Sequence, residues 1–349
     1  MAYHTTPYLL LFLPAALLFY QITPAKWRSY TLLIFSYLFF WSFSEKLIIY
    51  LIGTTFLTHH ICIWMDTMDK RDKRKKRVFQ LGILLLLGTI LCLKYRNFFF
   101  GNVSKLAMVL HIDWSYQDQL IFLPIGISFY TLSAIGYMAD VYWGKVKAEY
   151  SLVKTALFLG FFPVIVEGPI CRWEDVEDTL FKNESVKAEN VFKGCYRIIW
   201  GLFKKMIIAD RLAVLVDKVY VGYESYSGAV IVAAAISYTI QLYMEFSGCM
   251  DMVIGSAGLF GIRLPENFSQ PFFAKTCTDF WKRWHITLGV WFKNYIFYPV
   301  SISKTARKWN KFTRKHFKGD FGKYVARMGI AAMALFPVWI SNGLWHGPK

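Results

Sequence analysis

The sequence predicts an all-α, multi-pass transmembrane helical bundle, and three observations predict it. Of 349 residues, 56% are hydrophobic and 19% are Phe, Trp or Tyr, while Asp, Glu, Lys and Arg together make up 18%. That leaves too little polar surface to cover the apolar mass in water. The apolar residues are gathered in blocks that approach the roughly 20 residues a helix needs to cross a hydrocarbon core of about 30 Å. Several blocks also carry Pro or Gly in mid-run, and broken backbone at membrane depth is tolerated only where protein buries it or a cavity needs it. Re-entrant helices around a central opening are therefore expected beside simple hairpins.

The first block lies near Tyr8–Tyr20; nothing basic precedes it and the first lysine is Lys26. It reads as a helix that persists, not as a cleaved signal peptide. Blocks near Tyr30–Phe43 and Leu47–Trp64 follow, and then Asp66–Arg77 holds seven basic residues (Lys70, Arg71, Lys73, Arg74, Lys75, Lys76, Arg77) against three Asp. The positive-inside rule makes this loop cytoplasmic. Counting two spans back places Lys26 and Arg28 on the same side and the N-terminus outside. After Val78–Leu93, the block Leu120–Tyr142 contains Pro124 and Gly126 with the hydroxyls of Ser128, Tyr130 and Thr131, which are expected to bond back to helix carbonyls. Leu152–Ile170 contains Pro163 and ends at a Gly168-Pro169 turn flanked by Glu167 and Arg172. Val191–Leu215, Gly228–Phe246, Asp251–Ile262, Ile286–Val300 and Val325–Ile340 complete the apolar blocks.

The 40 Lys and Arg against 23 Asp and Glu leave a net charge of +17, a balance that in a soluble protein suggests a nucleic-acid partner. Its placement argues otherwise. A second basic stretch runs from Lys304 to Arg327, relieved only by Asp320, so much of the excess sits in two loops beside apolar blocks. Such loops set topology and attract anionic lipid at about 1 kcal/mol per residue near the surface. A lipid bilayer is the expected partner, and no nucleic acid. The cysteines Cys62, Cys92, Cys171, Cys195, Cys249 and Cys277 are scattered without a C-x-x-C pair. They are expected to be buried small hydrophobes and neither disulfides nor metal ligands. No phosphate-binding glycine loop, H-E-x-x-H pair or 20–50-residue repeat is present, so neither a metal nor a tightly bound cofactor is expected.

Polar residues inside apolar surroundings carry the functional signal, because they are costly there. One group spans Tyr243 to Leu288 and includes Asp251, Asn267 and the run Thr278-Asp-Phe-Trp-Lys-Arg-Trp-His285. On a continuous helix Trp281, His285 and Leu288 share a face, and Asp279 reaches Arg283 one turn on. Taken alone, His285 reads as an interfacial histidine. The other group is the chain end, Trp339-Ile-Ser-Asn-Gly-Leu-Trp-His-Gly347. At about 1.5 Å per residue from the preceding basic stretch, His346 should lie well inside the bilayer, next to Trp345. An intramembrane histidine is a functional candidate by default.

Phe246-Ser-Gly, Asp251-Met, Pro265-Glu-Asn-Phe, Phe280-Trp-Lys-Arg-Trp-His285 with Ile-Thr-Leu after it, and Leu344-Trp-His346-Gly follow Leu123-Pro-Ile-Gly-Ile-Ser-Phe-Tyr and Gly168-Pro-Ile in order. This succession resembles the membrane-bound O-acyltransferase (MBOAT) family. It is closest to a bacterial branch with alginate O-acetylases, peptidoglycan O-acetylation proteins and D-alanyl transfer proteins of teichoic acid. The resemblance implies one membrane domain over residues 1–349, with helices ringed around a funnel in a bacterial cytoplasmic membrane. It implies two catalytic histidines, His346 as general base and His285 to orient the acceptor or stabilise the oxyanion. Trp281, Arg283, Asp251, Asn267 and Trp345 are the substrate-binding residues expected with them. Members of this branch continue for several more spans, so the chain is expected to be C-terminally incomplete.

The implied donor is acetyl-coenzyme A or an acyl carrier protein, anionic and drawn to the basic loops. The implied acceptor is a hydroxyl on a cell-surface glycan or on a secreted or periplasmic acyltransferase partner. Pro265-Glu-Asn-Phe and Tyr295-Ile-Phe-Tyr-Pro299 lean toward acetyl over D-alanyl transfer. Two rivals from other classes stand beside this reading, a transporter or flippase with a midplane cavity and a non-catalytic membrane scaffold.

Overall fold

The computed structural model describes residues 2–69, 72–117 and 122–347. Lys70 and Arg71 of the first basic run, Leu120 at the start of an apolar block and Lys349 lie outside the described residues. The helices in chain order are α1 (Leu13–Ile22), α2 (Arg28–Ser44), α3 (Ile48–Asp66), α4 (Lys73–Lys94), α5 (Arg96–Val109), α6 (Ile127–Trp143), α7 (Leu152–Gly160) and α8 (Trp173–Leu180). They continue with α9 (Ala188–Leu202), α10 (Asp210–Val221), α11 (Gly228–Leu259), α12 (Cys277–Arg283), α13 (Ile286–Phe292), α14 (Tyr298–Ser301), α15 (Lys304–His316) and α16 (Gly319–His346). Among the described residues no strand forms; one isolated antiparallel bridge pairs Phe268 with Trp284. This is the all-α membrane architecture the composition requires. Among the described residues four stretches are long and apolar enough to cross a bilayer: Ala25–Asp66, Lys73–Lys94, Gly228–Leu259 and Gly319–His346. The first divides at Glu45, whose φ of 42° separates α2 from α3.

The chain divides into two compact units, one of residues 1–70 and 124–287, the other of residues 71–123 and 288–349. In the first, α7 and α8 form a short antiparallel hairpin. Trp173 at the start of α8 packs on Phe158 near the end of α7, while Lys154 near the start of α7 lies 5.5 Å from the Phe181 ring just past α8. The two helices therefore run side by side in opposite directions. Nine residues of α7 reach only about 14 Å, less than half a bilayer. Pro163 and Gly168-Pro169 explain the interruption, since proline removes a helical N–H and clashes with the preceding turn. Gly126, at φ 78°, lets the start of α6 lie on this turn, and a Cβ there would fall onto the Ile165 carbonyl oxygen.

The blocks Gly228–Phe246 and Asp251–Ile262, expected as separate, are one 32-residue helix, α11. Gly248 between them costs a helix interior only about 1 kcal/mol and contains no proline's clash. Packing against α9 explains its presence. A Cβ on Gly201 would stand 2.5 Å from the Gly248 carbonyl oxygen, and one on Gly194 would stand 2.8 Å from that of Gly255. The contacts are reciprocal, so α9 and α11 run antiparallel with backbones touching at two points seven residues apart. Small residues at membrane helix interfaces permit this approach.

Aromatic rings fill the centre of this unit. Phe12 stands 5.3 Å from Phe39 and 5.2 Å from Phe162, and the Tyr8 hydroxyl donates to Ser256 Oγ at 3.0 Å. One end of the unit is tied by polar contacts. Arg28 donates to the Asn183 carbonyl at 2.9 Å, Tyr150 to Asp66 at 3.3 Å, and the Arg263 N–H to Thr179 Oγ1 at 3.2 Å.

In the second unit Asp72 caps α4 by accepting from the Arg74 N–H at 2.7 Å, and that residue's guanidinium, donating to it as well, holds the Asp72 carboxyl below the usual range. Helix α15 carries Lys304, Arg307, Lys308, Lys311, Arg314 and Lys315 on 13 residues. It packs on α16, where the absent side chain of Gly329 makes room for the Trp309 indole. The cysteines depart from expectation. Cys62 and Cys171 are buried, but Cys92, Cys195 and Cys277 are exposed on the chain surface. A bundle in lipid places apolar groups outward as readily as inward, so sequence hydrophobicity does not separate the two.

Candidate active site

His285 sits at an interruption, not on a helix face. Helix α12 stops at Arg283, Trp284 is extended (φ −104°, ψ 127°), His285 is left-handed (φ 45°), and α13 starts at Ile286. The shared face of Trp281, His285 and Leu288 expected from helical spacing does not exist, because the helix breaks between the first two. The segment Asn267–Ser269 lies along the break and takes up its backbone groups. Ser269 N–H donates to the Arg283 carbonyl at 3.0 Å and Ile286 N–H to the Asn267 carbonyl at 3.0 Å. Backbone freed from a helix is stable at membrane depth only with such partners. The Asp279–Arg283 pair forms as expected at 3.0 Å, and this donation holds the Asp279 carboxyl below its usual range.

The imidazole of His285 is buried, 7% exposed, with its edge against Phe246 at a centroid distance of 4.9 Å. Its Nδ1 lies 3.2 Å from Asn267 Oδ1. The same oxygen accepts from the Thr287 N–H at 3.1 Å and from Thr287 Oγ1 at 2.9 Å, while Asn267 Nδ2 reaches the Met250 sulfur at 3.3 Å. Thr287 Oγ1 in turn accepts from the Ile170 N–H at 3.1 Å, in the segment following the Gly168-Pro169 turn. Three segments distant along the chain, around Ile170, Asn267 and His285, thus meet around one imidazole.

On the far side of Met250 and Phe268 opens a polar cleft of about 460 Å³, with Arg197, Lys204, Tyr243, Asp251, Glu266 and Gln270 in its wall. Asp251 accepts from Arg197 Nε at 3.1 Å and from Lys204 Nζ at 2.6 Å; Arg197 also grips Glu266 through two nitrogens, each at 2.6 Å. Arg197 lies on α9 and Lys204, seven residues on, in the π-helical segment Phe203–Ala209 that continues it, between and beside the glycines that bring α11 close. Spacing on one helix could have signalled them, but nothing local in the sequence pairs them with Asp251, 54 and 47 residues away.

Of the expected site residues, the structure brings His285, Asn267 and Asp251 to this region through Met250. Asn267 is 1% exposed and engaged by His285 and Thr287. Trp281 is 50% exposed and packs on Phe280, and Arg283 is held by Asp279. Arg172 caps α8 through Asp175, and Glu167 Oε2 accepts from the Cys249 thiol at 3.3 Å. The Tyr130 hydroxyl, expected to bond back to its helix, is buried without a hydrogen-bond partner among the described residues.

His346 and Trp345 belong to the second unit, where His346 is the last residue of α16 and its side chain is exposed. Sequence reading missed what holds this helix end. Lys94 Nζ donates to the Trp345 carbonyl at 2.7 Å and lies 5.7 Å from the Trp345 ring, and the Tyr95 hydroxyl donates to the Leu344 carbonyl. A cation on the last carbonyls suits the negative end of a helix dipole.

Residues 145–314 match the family model described as the membrane-bound O-acyltransferase family, MBOAT. The chain is 31% identical over 347 residues to a probable alginate O-acetylase, AlgI, of Pseudomonas putida, covering 99% of this chain and 67% of the relative. It is 28% identical over 382 residues to a peptidoglycan O-acetyltransferase of Helicobacter pylori, covering 99% of this chain and 66% of that protein. It is 28% identical over 229 residues to a teichoic acid D-alanyltransferase of Bacillus subtilis, covering 64% of this chain and 53% of that one. The chain spans about two thirds or less of the length of these curated relatives. The buried histidine motif, the apolar helices and these matches agree, and the chain belongs to the membrane-bound O-acyltransferase family.

Proposed function

We propose that this protein transfers an acetyl group from a cytoplasmic thioester, acetyl-coenzyme A or an acyl carrier protein, to a hydroxyl outside the cytoplasm. The acceptor is a cell-surface polysaccharide or a carrier protein that passes the group on. The observation that carries the reading is the His285 imidazole, buried at a helix break in an apolar bundle and held there by Asn267. A buried imidazole is costly in a membrane, and that cost marks the residue as a functional candidate. The acetylase and peptidoglycan relatives match 99% of the chain and the D-alanyl relative 64%, which favours acetyl over D-alanyl transfer.

In the reaction, the acceptor oxygen attacks the thioester carbonyl carbon. A C–O bond forms, the C–S bond breaks, and the hydroxyl proton passes to the His346 imidazole and then to the departing thiolate. A neutral imidazole suits that exchange, and general acid–base catalysis of this kind supplies typically about 10²–10⁴ in rate. The reading places the basic stretches and the donor on the cytoplasmic side of the bacterial cell membrane, with the N-terminus outside.

Membranes carrying the protein, incubated with labelled acetyl-coenzyme A and with labelled acetyl carrier protein, are expected to pass label to an extracytoplasmic acceptor. His346→Ala is expected to lower the rate by about 10²–10⁴. Undiminished transfer by that variant overturns the role of His346. Movement of unmodified substrate across the membrane supports a transporter instead, and neither label nor movement supports a scaffold.

A further inference from the structure

We infer that Asn267 is a positioning residue that fixes the tautomer of His285, so that the neutral imidazole carries its proton on Nδ1 and its lone pair on Nε2. The inference rests on the acyl-transfer reading for its substrate, while the tautomer itself follows from hydrogen-bond chemistry.

A backbone N–H can only donate. The Thr287 N–H lies 3.1 Å from the terminal atom of Asn267 assigned as Oδ1, so that atom must be the oxygen. Turning the amide over would set an NH₂ against an N–H, two donors with no acceptor between them. Thr287 Oγ1 agrees: it accepts from the Ile170 N–H at 3.1 Å and directs its own proton to the same Asn267 oxygen at 2.9 Å. With Oδ1 established as an acceptor, the third contact, His285 Nδ1 at 3.2 Å, has to be an N–H donor. A neutral imidazole carries one N–H. With the proton on Nδ1, Nε2 carries the lone pair.

The surroundings make this assignment rigid. Asn267, Thr287 and His285 are 1%, 6% and 7% exposed, so water does not compete for the amide oxygen. His285 is held at φ 45°, in the left-handed region that side chains other than glycine rarely adopt. Such a conformation persists where the surrounding structure over-determines it, and here the Asn267–Ser269 segment does so through the Ile286 and Ser269 bonds. The consequence lies in proton transfer at this ring: in this tautomer a neutral His285 accepts a hydrogen bond or a proton at Nε2 and cannot donate one there.

The test is a nitrogen–proton correlation spectrum of the full chain labelled with ¹⁵N in the histidine rings, recorded in detergent at a pH where the ring is neutral. The resonances lost in His285→Gln identify this residue. The expected pattern is the Nδ1–H tautomer in the wild type, kept in Asn267→Asp, where an acceptor oxygen remains, and lost or mixed in Asn267→Leu. An Nε2–H tautomer in the wild type overturns the inference, and this needs no Asn267 variant to fold. An unchanged spectrum in a folded Asn267→Leu overturns it too. In the transfer assay Asn267→Leu is expected to lower kcat/KM for the acceptor at least tenfold, with donor KM little changed and recovery in Asn267→Asp. Absence of acyl transfer by the wild type sinks the functional reading while leaving the tautomer measurement intact.

Discussion

The charges in the polar cleft show how single residues inside an apolar bundle are held. Asp251 is 12% exposed in its side chain and Lys204 14%, so both are largely withdrawn from water; Asp251 is compensated by Lys204 and Arg197, and Lys204 by Asp251. Removing one member of a buried pair leaves an uncompensated charge and costs about 3–5 kcal/mol, whereas the intact pair adds little net stability. Asp251→Ala is therefore expected to lower thermal stability in detergent by an amount corresponding to about 3–5 kcal/mol. Exchange of an exposed pair such as Lys193 with Glu189, 71% and 72% exposed, should change it by about 1 kcal/mol or less. A melting curve for Asp251→Ala matching that of Glu189→Ala contradicts this account. The sequence made Asp251 conspicuous as an acid among apolar residues. Its partners were not legible, because an ion pair between helices depends on how those helices cross and not on anything local to either.

At the scale of helices, local chemistry announced the breaks well and the close contacts poorly. Pro163 and Gly168-Pro169 announced the interruption between α7 and α8, since proline's missing N–H is a local fact. The break at His285 contains neither proline nor glycine; the bridge from Phe268 to Trp284 imposes it from outside the helix, which is why helical spacing misread Trp281, His285 and Leu288. The glycine contacts between α9 and α11 lead to a paired prediction. A Cβ on Gly201 would stand 2.5 Å from the Gly248 carbonyl oxygen, and backbone cannot yield there without parting the helices. Gly201→Ala should thus destabilise the protein by about 1–3 kcal/mol. Gly258, on α11 itself, has nothing within 4 Å of its Cβ position. Gly258→Ala should be neutral or stabilising by up to about 1 kcal/mol, the helix propensity difference. Equal melting shifts for the two variants would remove the close-packing explanation, and loss of acyl transfer in Gly201→Ala alone would tie the crossing to the cleft it forms.

For the whole molecule the sequence offered a net charge of +17 and a rule for orientation, and the first unit supplies internal contacts that can be joined to that rule. Asp66, at the start of the basic run, bonds Tyr150; Lys154 covers Phe181; Arg28 holds Asn183; and Tyr20 packs on Phe260 at 5.2 Å. The ends of α1, α3, α8 and α11 and the starts of α2 and α7 therefore share one end of the unit. If the basic run faces the cytoplasm, all of these do, and the α7–α8 hairpin enters and leaves on that side. Helix α11, 32 residues and about 48 Å long, then carries its N-terminal end, next to Ser225, to the opposite face. A cysteine at Lys147 should react with an impermeant maleimide only from the cytoplasmic side, and one at Ser225 only from outside. The exposed Cys92, Cys195 and Cys277 are replaced by serine to keep the background silent. Labelling of both positions from the same side contradicts the orientation, and with it the cytoplasmic donor. Labelling from opposite sides in the reverse sense keeps the contacts but overturns the basic loop as the orienting element, leaving the donor to arrive on the other face.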